Sequence, residues 1–340
     1  MHENPRDGGA AFPPDRSGLG RWEVSGAQAW AALARVLASV EAVRDGQAWY
    51  LLLTVFASGG ILVAAAESAF AGSRWLEASI EAGVAFFVVF YGSNAAGIWT
   101  MQRLRGEAGH DIFDAVYASL LRAHRLILMV LILGPVAAAG GAVLWGLLWI
   151  SKLRFVGPPI YALVVPVAVL SVGLAALAGM VVVVPLAAPA VWAGDTTLQG
   201  VRMLWEIARQ RLVTVALLIA AVSLVTGLTG ALASFVVMVG GSVVAQLSVW
   251  ITGVHVPAAL LMAGLFGHGL RSVDSRQIPP EALHHTFAAL AGGGVVFALA
   301  VVLPGLVYLR GVCSVYLSLR ESLLLPGSAD EVDGSAPQAS

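Results

Sequence analysis

Four polar side chains stand inside long stretches of this sequence that carry no charge. They are Asn94, Gln246, His255 and His268. A polar group is costly to bury in hydrocarbon, so each of the four is a candidate functional residue. Asparagine and glutamine in such places commonly form hydrogen bonds between helices and fix how the helices are rotated. We expect that structural role for Asn94 and Gln246.

The two histidines have a spacing that suggests one further chemistry. His255 and His268 are 13 residues apart, close to the separation at which one membrane helix offers axial ligands to two haems. Haem would also need partner histidines on another span. His110 and His124 are 14 residues apart, but they belong to an amphipathic segment at the wrong depth. We therefore expect no haem and no other cofactor.

Three acidic residues fall near one mouth of the first two predicted spans: Glu67, Glu77 and Glu81. Acids gathered there could attract a cation. Alternatively, they lie on the outer side only because basic residues are retained inside. His284 and His285 are adjacent and cannot both face one ion from a regular helix, so we expect no metal site.

Several classes of function are disfavoured by the residues that the sequence lacks. With 19 Lys and Arg against 20 Asp and Glu, the chain has no basic excess for nucleic acid. No Walker motif and no G-x-S-x-G elbow is present. Lys152 is the only lysine and falls in a predicted loop, which excludes a retinal Schiff base. Cys313 sits in an apolar run and is expected to be a small buried side chain. We expect no enzymatic activity.

The composition places the chain in a membrane. Hydrophobic residues make up 59% of it and charged residues 11%, whereas soluble proteins have about 25% charged residues. Lipid offers no hydrogen bonds to the backbone, so spanning segments must be helices or closed barrels, and a helix needs about 20 apolar residues. The sequence predicts an all-α polytopic bundle of about six to eight spans, within a membrane domain covering residues 25–323.

Five spans are predicted from uncharged stretches, at residues 48–66, 83–101, 126–150, 160–184 and 212–232. Two further apolar regions, 235–270 and 287–319, are too long for one straight span. The first contains residues that could break it into a re-entrant piece plus a helix or into two short helices: Gly240, Gly241, Gly253 and Pro257. The second contains Pro304, Gly305 and Arg310. Kinks are expected at Pro135, Pro166, Pro185, Pro257 and Pro304.

Arginine placement predicts the orientation. Short cytoplasmic loops are enriched in Lys and Arg. Basic residues are frequent in the leader and in alternate segments, at Arg6, Arg16, Arg21, Arg35, Arg44, Arg103, Arg105, Arg122, Arg125, Arg202, Arg209 and Arg211. The intervening loops hold only Arg74, Lys152 and Arg154. The N-terminus is predicted inside, with disordered ends at residues 1–24 and 324–340.

Amphipathic segments precede pairs of spans. They cover residues 25–44, 111–125 and 197–211, and a weaker fourth one starts at Pro280. The pattern predicts a repeating unit of surface helix, span and span. Such a helix either anchors the chain at the interface or offers a platform for a partner, and the sequence leaves both open.

A ridge of small residues lies on the third span, where Gly134, Ala138, Ala142 and Gly146 recur at every fourth position. Small residues let helix backbones approach closely in lipid. The ridge predicts a packing surface, either within the bundle or at a dimer seam.

Two stretches carry a family resemblance, VPLAAPAVWAGDTTLQGVRMLWEIARQR at 184–211 and YLRGVCSVYLSLR at 308–320. They resemble a superfamily of bacterial multi-pass membrane proteins that includes the membrane domain of some glycerophosphodiester phosphodiesterases and the YciC-like inner-membrane proteins. The chain departs from the family pattern: Asp195 is the only acid directly after the apolar turn, and the usual serine of the surface helix is missing. The resemblance implies both termini inside and carries over no catalytic residue.

These observations favour a non-catalytic scaffold or accessory subunit in a bacterial inner membrane, embedded in the lipid bilayer and associated with itself or with another membrane protein. The alternative is a passive transporter or channel for a small solute or lipid, suggested by the Pro- and Gly-interrupted spans. An intramembrane enzyme ranks third.

Overall fold

The computed structural model describes residues 26–107, 111–153, 157–252 and 280–324, and this part of the chain contains helices and no strands. The helices are α1 (Gly26–Leu37), a 3-10 segment (Ala38–Arg44), α2 (Gly46–Ala71), α3 (Trp75–Leu104), α4 (Ile112–Arg122), α5 (His124–Ile150), α6 (Gly157–Ala178), a π-helical segment (Gly179–Val183), α7 (Val184–Trp192), α8 (Thr197–Gln210), α9 (Leu212–Thr252) and α10 (Pro280–Leu324). The predicted all-α fold is confirmed.

Among the residues that the structure describes, six helical stretches are long and apolar enough to cross a membrane: Gly46–Ala71, Trp75–Leu104, Ile112–Ile150, Gly157–Trp192, Leu212–Val244 and Ala298–Leu323. All five predicted spans fall within this set, and the sixth stretch overlaps the overlong region 287–319 and ends four residues beyond it. Six is the lower limit of the range predicted from the sequence.

The overlong regions are continuous helices rather than broken ones where the structure describes them. Gly240 and Gly241 lie inside α9, which runs unbroken for 41 residues, and Gly253 and Pro257 lie outside the described residues. Helix α10 has 45 residues, with Pro304 inside it. The amphipathic segment predicted to start at Pro280 is continuous with the span and is not a separate helix. At 1.5 Å per residue, these helices are about twice as long as the bilayer core is thick.

The fourth predicted span ends too early. We expected it to stop at residue 184, but helical structure continues to Trp192 through a π-helical segment, in which the Val184 N–H donates to the Gly179 carbonyl. Pro185 follows directly. A proline lacks an N–H and its ring clashes with the carbonyl four residues back, so a wider turn accommodates it without ending the helix.

The core of the bundle lies at one end. Every residue from Asn94 to Met101 of α3 is buried, and so are almost all residues of α7. A helix that is buried on every side lies at the centre of a bundle. Helix α10 contributes a third enclosed segment at residues 311–316. Arginines surround this end, which we call the arginine-rich end: Arg35, Arg44, Arg103, Arg105, Arg125, Arg310 and Arg320.

Close helix contacts depend on glycine at a few positions. A Cβ atom at Gly92 of α3 would overlap the Val55 side chain of α2, and one at Gly59 of α2 would overlap Val89. Helices α9 and α10 approach in the same way, because a Cβ at Gly311 would lie 2.8 Å from a Val222 methyl group. Glycine therefore sets the spacing of the α2–α3 and α9–α10 pairs.

Three amphipathic helices turn aromatic side chains away from the protein. Trp30 of α1 is 72% exposed, Phe113 of α4 is 78% exposed and Trp205 of α8 is 66% exposed. Amphipathic helices with exposed aromatics are typical of the membrane interface. Helix α4 also runs back along α3, since the Ser119 hydroxyl donates to the Tyr91 carbonyl at 2.6 Å.

The start of α8 is fixed by a reciprocal capping box. The Thr196 hydroxyl accepts from the Gln199 N–H, and the Gln199 side chain accepts from the Thr196 N–H at 3.1 Å. We expect Thr196→Ala to lower the free energy of unfolding by about 1 kcal/mol, because the Gln199 N–H loses its acceptor. Thermal unfolding in detergent measures it. Thr197→Ala is the matched control, and equal effects of the two substitutions would contradict the capping role.

Candidate functional site

Asn94 lies at the centre of the bundle and is 5% exposed. Its side-chain oxygen accepts from the Trp192 indole N–H at 2.8 Å, and its amide donates to the Phe90 carbonyl at 2.8 Å. The bond from Trp192 joins α7 to α3, whereas the bond to Phe90 lies within α3. Asn94 therefore forms a hydrogen bond between two helices.

Glycine makes the Asn94–Trp192 contact possible. The Trp192 ring lies directly over Gly97, where a Cβ atom would overlap it. Trp192 itself is 7% exposed. Tryptophans at span ends usually face the lipid headgroups, but this one packs inward, and so does Trp99, which donates to an Asp45 carboxylate oxygen at 3.3 Å.

Of the other polar candidates, the structure describes only Gln246, which is separate from Asn94. Gln246 is exposed on the surface of α9. His255 and His268 lie outside the described residues. Among the residues that the structure describes, no group of three or more His, Cys, Asp and Glu side chains is placed to hold a metal ion.

Three acidic residues, Glu67, Glu77 and Glu81, lie at the end of the bundle opposite the arginine-rich end. Each has a different environment. Glu77 pairs with Arg74 at 2.5 Å, and both side chains are more than half exposed. Glu67 lines a groove of about 680 Å³ between α2 and α3, whose other walls include Phe70, Trp75 and Phe86. Glu81 does not line that groove, and one of its carboxylate oxygens is buried without a hydrogen-bond partner. The acids therefore do not converge on one cation.

The strongest polar cluster of the described residues surrounds Asp195, which was not a predicted site residue. One carboxylate oxygen accepts a hydrogen bond from the Tyr316 hydroxyl. The other lies 3.3 Å from an Arg320 guanidinium nitrogen. Arg125 donates to the Asp195 main-chain carbonyl at 3.3 Å. The cluster joins the α7–α8 turn to α10 and α5.

Backbone hydrogen bonds at the end of α7 fix the position of Asp195. Helix α7 ends in a Schellman motif, in which Asp195 N–H donates to the Ala190 carbonyl and Gly194 N–H donates to the Val191 carbonyl. Gly194 has a φ of +91°, a conformation that favours glycine. Tyr316 and Arg320 stand four residues apart on one face of α10. An acid after an apolar turn and a Tyr-x-x-x-Arg pattern were the available sequence signals, but nothing in the sequence paired them.

The small-residue ridge of α5 lies on a stretch of helix that is exposed on all faces, since every residue from 134 to 143 is exposed. Gly134, Ala138 and Ala142 are exposed, and Gly146 is partly exposed. No neighbouring atom lies within 4 Å of the position that a Cβ would take at Gly134 or Gly146. Only 6% of the most apolar stretch of this span is buried, compared with 39% for the span of α3. The ridge therefore does not pack within the described part of one chain.

The fold defines a helical membrane protein in which buried polar side chains such as Asn94 and Asp195 join helices. No protein family, curated protein or solved structure matches the chain.

Proposed function

We propose that the chain is a non-catalytic scaffold or accessory subunit of a bacterial inner membrane, which assembles with a second copy of itself through the ridge on α5. The observation that carries the proposal is the exposure of this ridge. Helices in lipid associate through small residues that let backbones approach closely. Two identical ridges at four-residue spacing are complementary to each other, and this favours a copy of the same chain as the partner.

The arginine-rich end and the N-terminus lie in the cytoplasm in this proposal. Lys and Arg are retained on the cytoplasmic side of short loops, and the opposite end has only Arg74 and Lys152 among its described basic residues. The exposed aromatics of α1, α4 and α8 then lie at the inner headgroup level. The anchoring role of these helices supports a fixed depth in the membrane.

The transporter or channel alternative has less support among the described residues. It rested on the Pro- and Gly-interrupted spans, but α9 is continuous at Gly240 and Gly241. Asn94 is bonded between helices, and Gln246 is exposed on α9. These two residues do not line a shared path.

Disulfide cross-linking within the native membrane tests the scaffold proposal. The background variant is Cys313→Ala, because Cys313 is the only cysteine and is fully buried. Ala138→Cys is expected to form a covalent dimer on oxidation, since two facing ridges bring this position close to its copy. Val136→Cys is the matched control, because Val136 is 62% exposed and lies two residues along the helix, on nearly the opposite face.

We expect at least about fivefold more dimer from position 138 than from position 136, in keeping with a packed seam rather than random collisions. Equal yields at the two positions, or no dimer at either, would contradict assembly through the ridge.

A further inference from the structure

Three arginines line a cavity of about 460 Å³ at the arginine-rich end. Arg44 comes from the 3-10 segment, Arg103 from the last turn of α3 and Arg310 from α10. We call this space the arginine cavity. Arg310 belongs to a helix that is apolar enough to span a membrane, where a charged side chain is a candidate functional residue.

The charges around the cavity leave an excess of one positive charge. Arg310 pairs with Glu41 at 3.0 Å, and Arg103 lies 3.6 Å from Asp45. Both acids also line the cavity. Arg44 has no ion-pair partner among the residues that the structure describes. The lining therefore carries three guanidinium groups against two carboxylates, which suits a ligand with a single negative charge.

Apart from Thr100, whose hydroxyl donates to the Ala96 carbonyl at 2.8 Å, the remaining lining is apolar. Ala48 of α2, Leu104 of α3 and Leu306 of α10 form that side. All three helices contain candidate membrane spans. The cavity thus lies where apolar helix surface meets a ring of charge, which is the arrangement around a lipid at the headgroup level.

Asp45 also positions groups around the arginine cavity. Its side chain accepts from the Ala48 N–H at 3.3 Å, which caps α2, and from the Trp99 indole N–H at 3.3 Å. The Arg103 guanidinium stacks 5.4 Å from the centre of the Trp99 ring. Arg103 is therefore held in place by Asp45 and by the Trp99 ring. The other two arginines of the cavity, Arg44 and Arg310, come from other helical segments.

We propose that the arginine cavity binds the phosphodiester of an anionic phospholipid. Guanidinium groups match phosphate oxygens with paired N–H donors. A phosphodiester carries one negative charge, equal to the excess around the cavity, and the acyl chains of the lipid would continue along the apolar side. Free inorganic phosphate shares the phosphate chemistry but has no apolar part.

A lipid titration tests the site on the purified full-length protein in an uncharged detergent. Dioctanoyl phosphatidylglycerol is added and the unfolding temperature is measured. We expect a saturable rise, because a ligand that binds the folded state stabilises it. In Arg44→Gln, the half-saturating concentration should increase about tenfold, since one charge-assisted contact to phosphate is lost.

Arg44 suits this test because its removal breaks no ion pair among the described residues. The unfolding temperature of Arg44→Gln without lipid should therefore equal that of the wild type. Arg74→Gln at the opposite end is the control and should bind the lipid like the wild type. If both variants bind like the wild type, or if no saturable rise occurs, the proposal is wrong.

Two other ligands test whether the cavity binds an anionic lipid or free phosphate. Dioctanoyl phosphatidylcholine should require about tenfold more lipid for the same effect, because its headgroup cation cancels the negative charge. Inorganic phosphate should produce no saturable rise. Equal effects of the two lipids would refute recognition of the negative charge, and a rise with inorganic phosphate that matches the lipid would refute a lipid site.

Discussion

Asp195→Ala is expected to lower the free energy of unfolding by about 2 to 3 kcal/mol. Removing one partner of a buried ion pair is strongly destabilising, because the other charge is left without compensation. Asp195 is 12% exposed in its side chain, but Arg320 is 32% exposed, so water recovers part of the loss. The Tyr316 hydroxyl, on a fully buried residue, also loses its acceptor.

Thermal unfolding in detergent, followed by circular dichroism, measures this effect. Glu77→Ala is the matched control, because Glu77 also pairs with an arginine but both side chains are more than half exposed. Exposed pairs contribute about 0 to 1 kcal/mol. If Asp195→Ala costs no more than Glu77→Ala, the Asp195 cluster does not hold the bundle together.

Gly97→Val is expected to destabilise the fold by about 3 kcal/mol. The new side chain would overlap the Trp192 ring, and displacing the ring would also break the 2.8 Å hydrogen bond between Trp192 and Asn94. Overpacking alone costs about 1 to 3 kcal/mol, and the buried Asn94 oxygen then lacks its donor.

The control for Gly97→Val is Gly83→Val on the same helix, where no neighbouring atom lies within 4 Å of an added Cβ. Both substitutions change helix propensity equally, so the difference between them isolates the Trp192 contact. Thermal unfolding of the two variants is compared. A difference below about 0.5 kcal/mol would show that Gly97 is not a close-contact position.

Hydropathy predicted the helices well because lipid imposes a simple requirement on the backbone. Every N–H and C=O group in the hydrocarbon must find a partner within the chain. Long uncharged stretches therefore had to be helices, and all five predicted spans lie within helices. The long α9 and α10 were harder to predict, since glycine and proline weaken a helix but neighbouring helices can compensate.

Hydropathy could not predict which faces of the spans pack together. Lipid tails are as apolar as leucine side chains, so the buried and lipid-facing residues of a span look alike in the sequence. Residues 94–101 are enclosed by protein, whereas the ridge at Gly134 and Ala138, which lies in a more apolar span, is exposed. The sequence identified the ridge but left open whether it packs within one chain or between chains.

The Asp195 cluster was missed for a different reason. Asp195 and Tyr316 are separated by 121 residues, and no local pattern connects residues that far apart. Their partnership depends on α7, at whose start Pro185 is accommodated by a π-helical turn and after whose end Gly194 redirects the chain. The two stretches for which the sequence suggested a family resemblance are 184–211, which contains Asp195, and 308–320, which contains Tyr316. They therefore meet at this cluster.

The most direct test of the scaffold proposal is the number of chains per particle when the protein is extracted from its own membrane in polymer-bounded lipid discs. Mass measurement of these discs avoids detergent, which can separate helices held together by close packing. We expect two copies of the chain in each particle, and about one copy after Ala138→Leu, which places a bulky side chain on the ridge. A single copy per particle in the wild type would contradict assembly through α5.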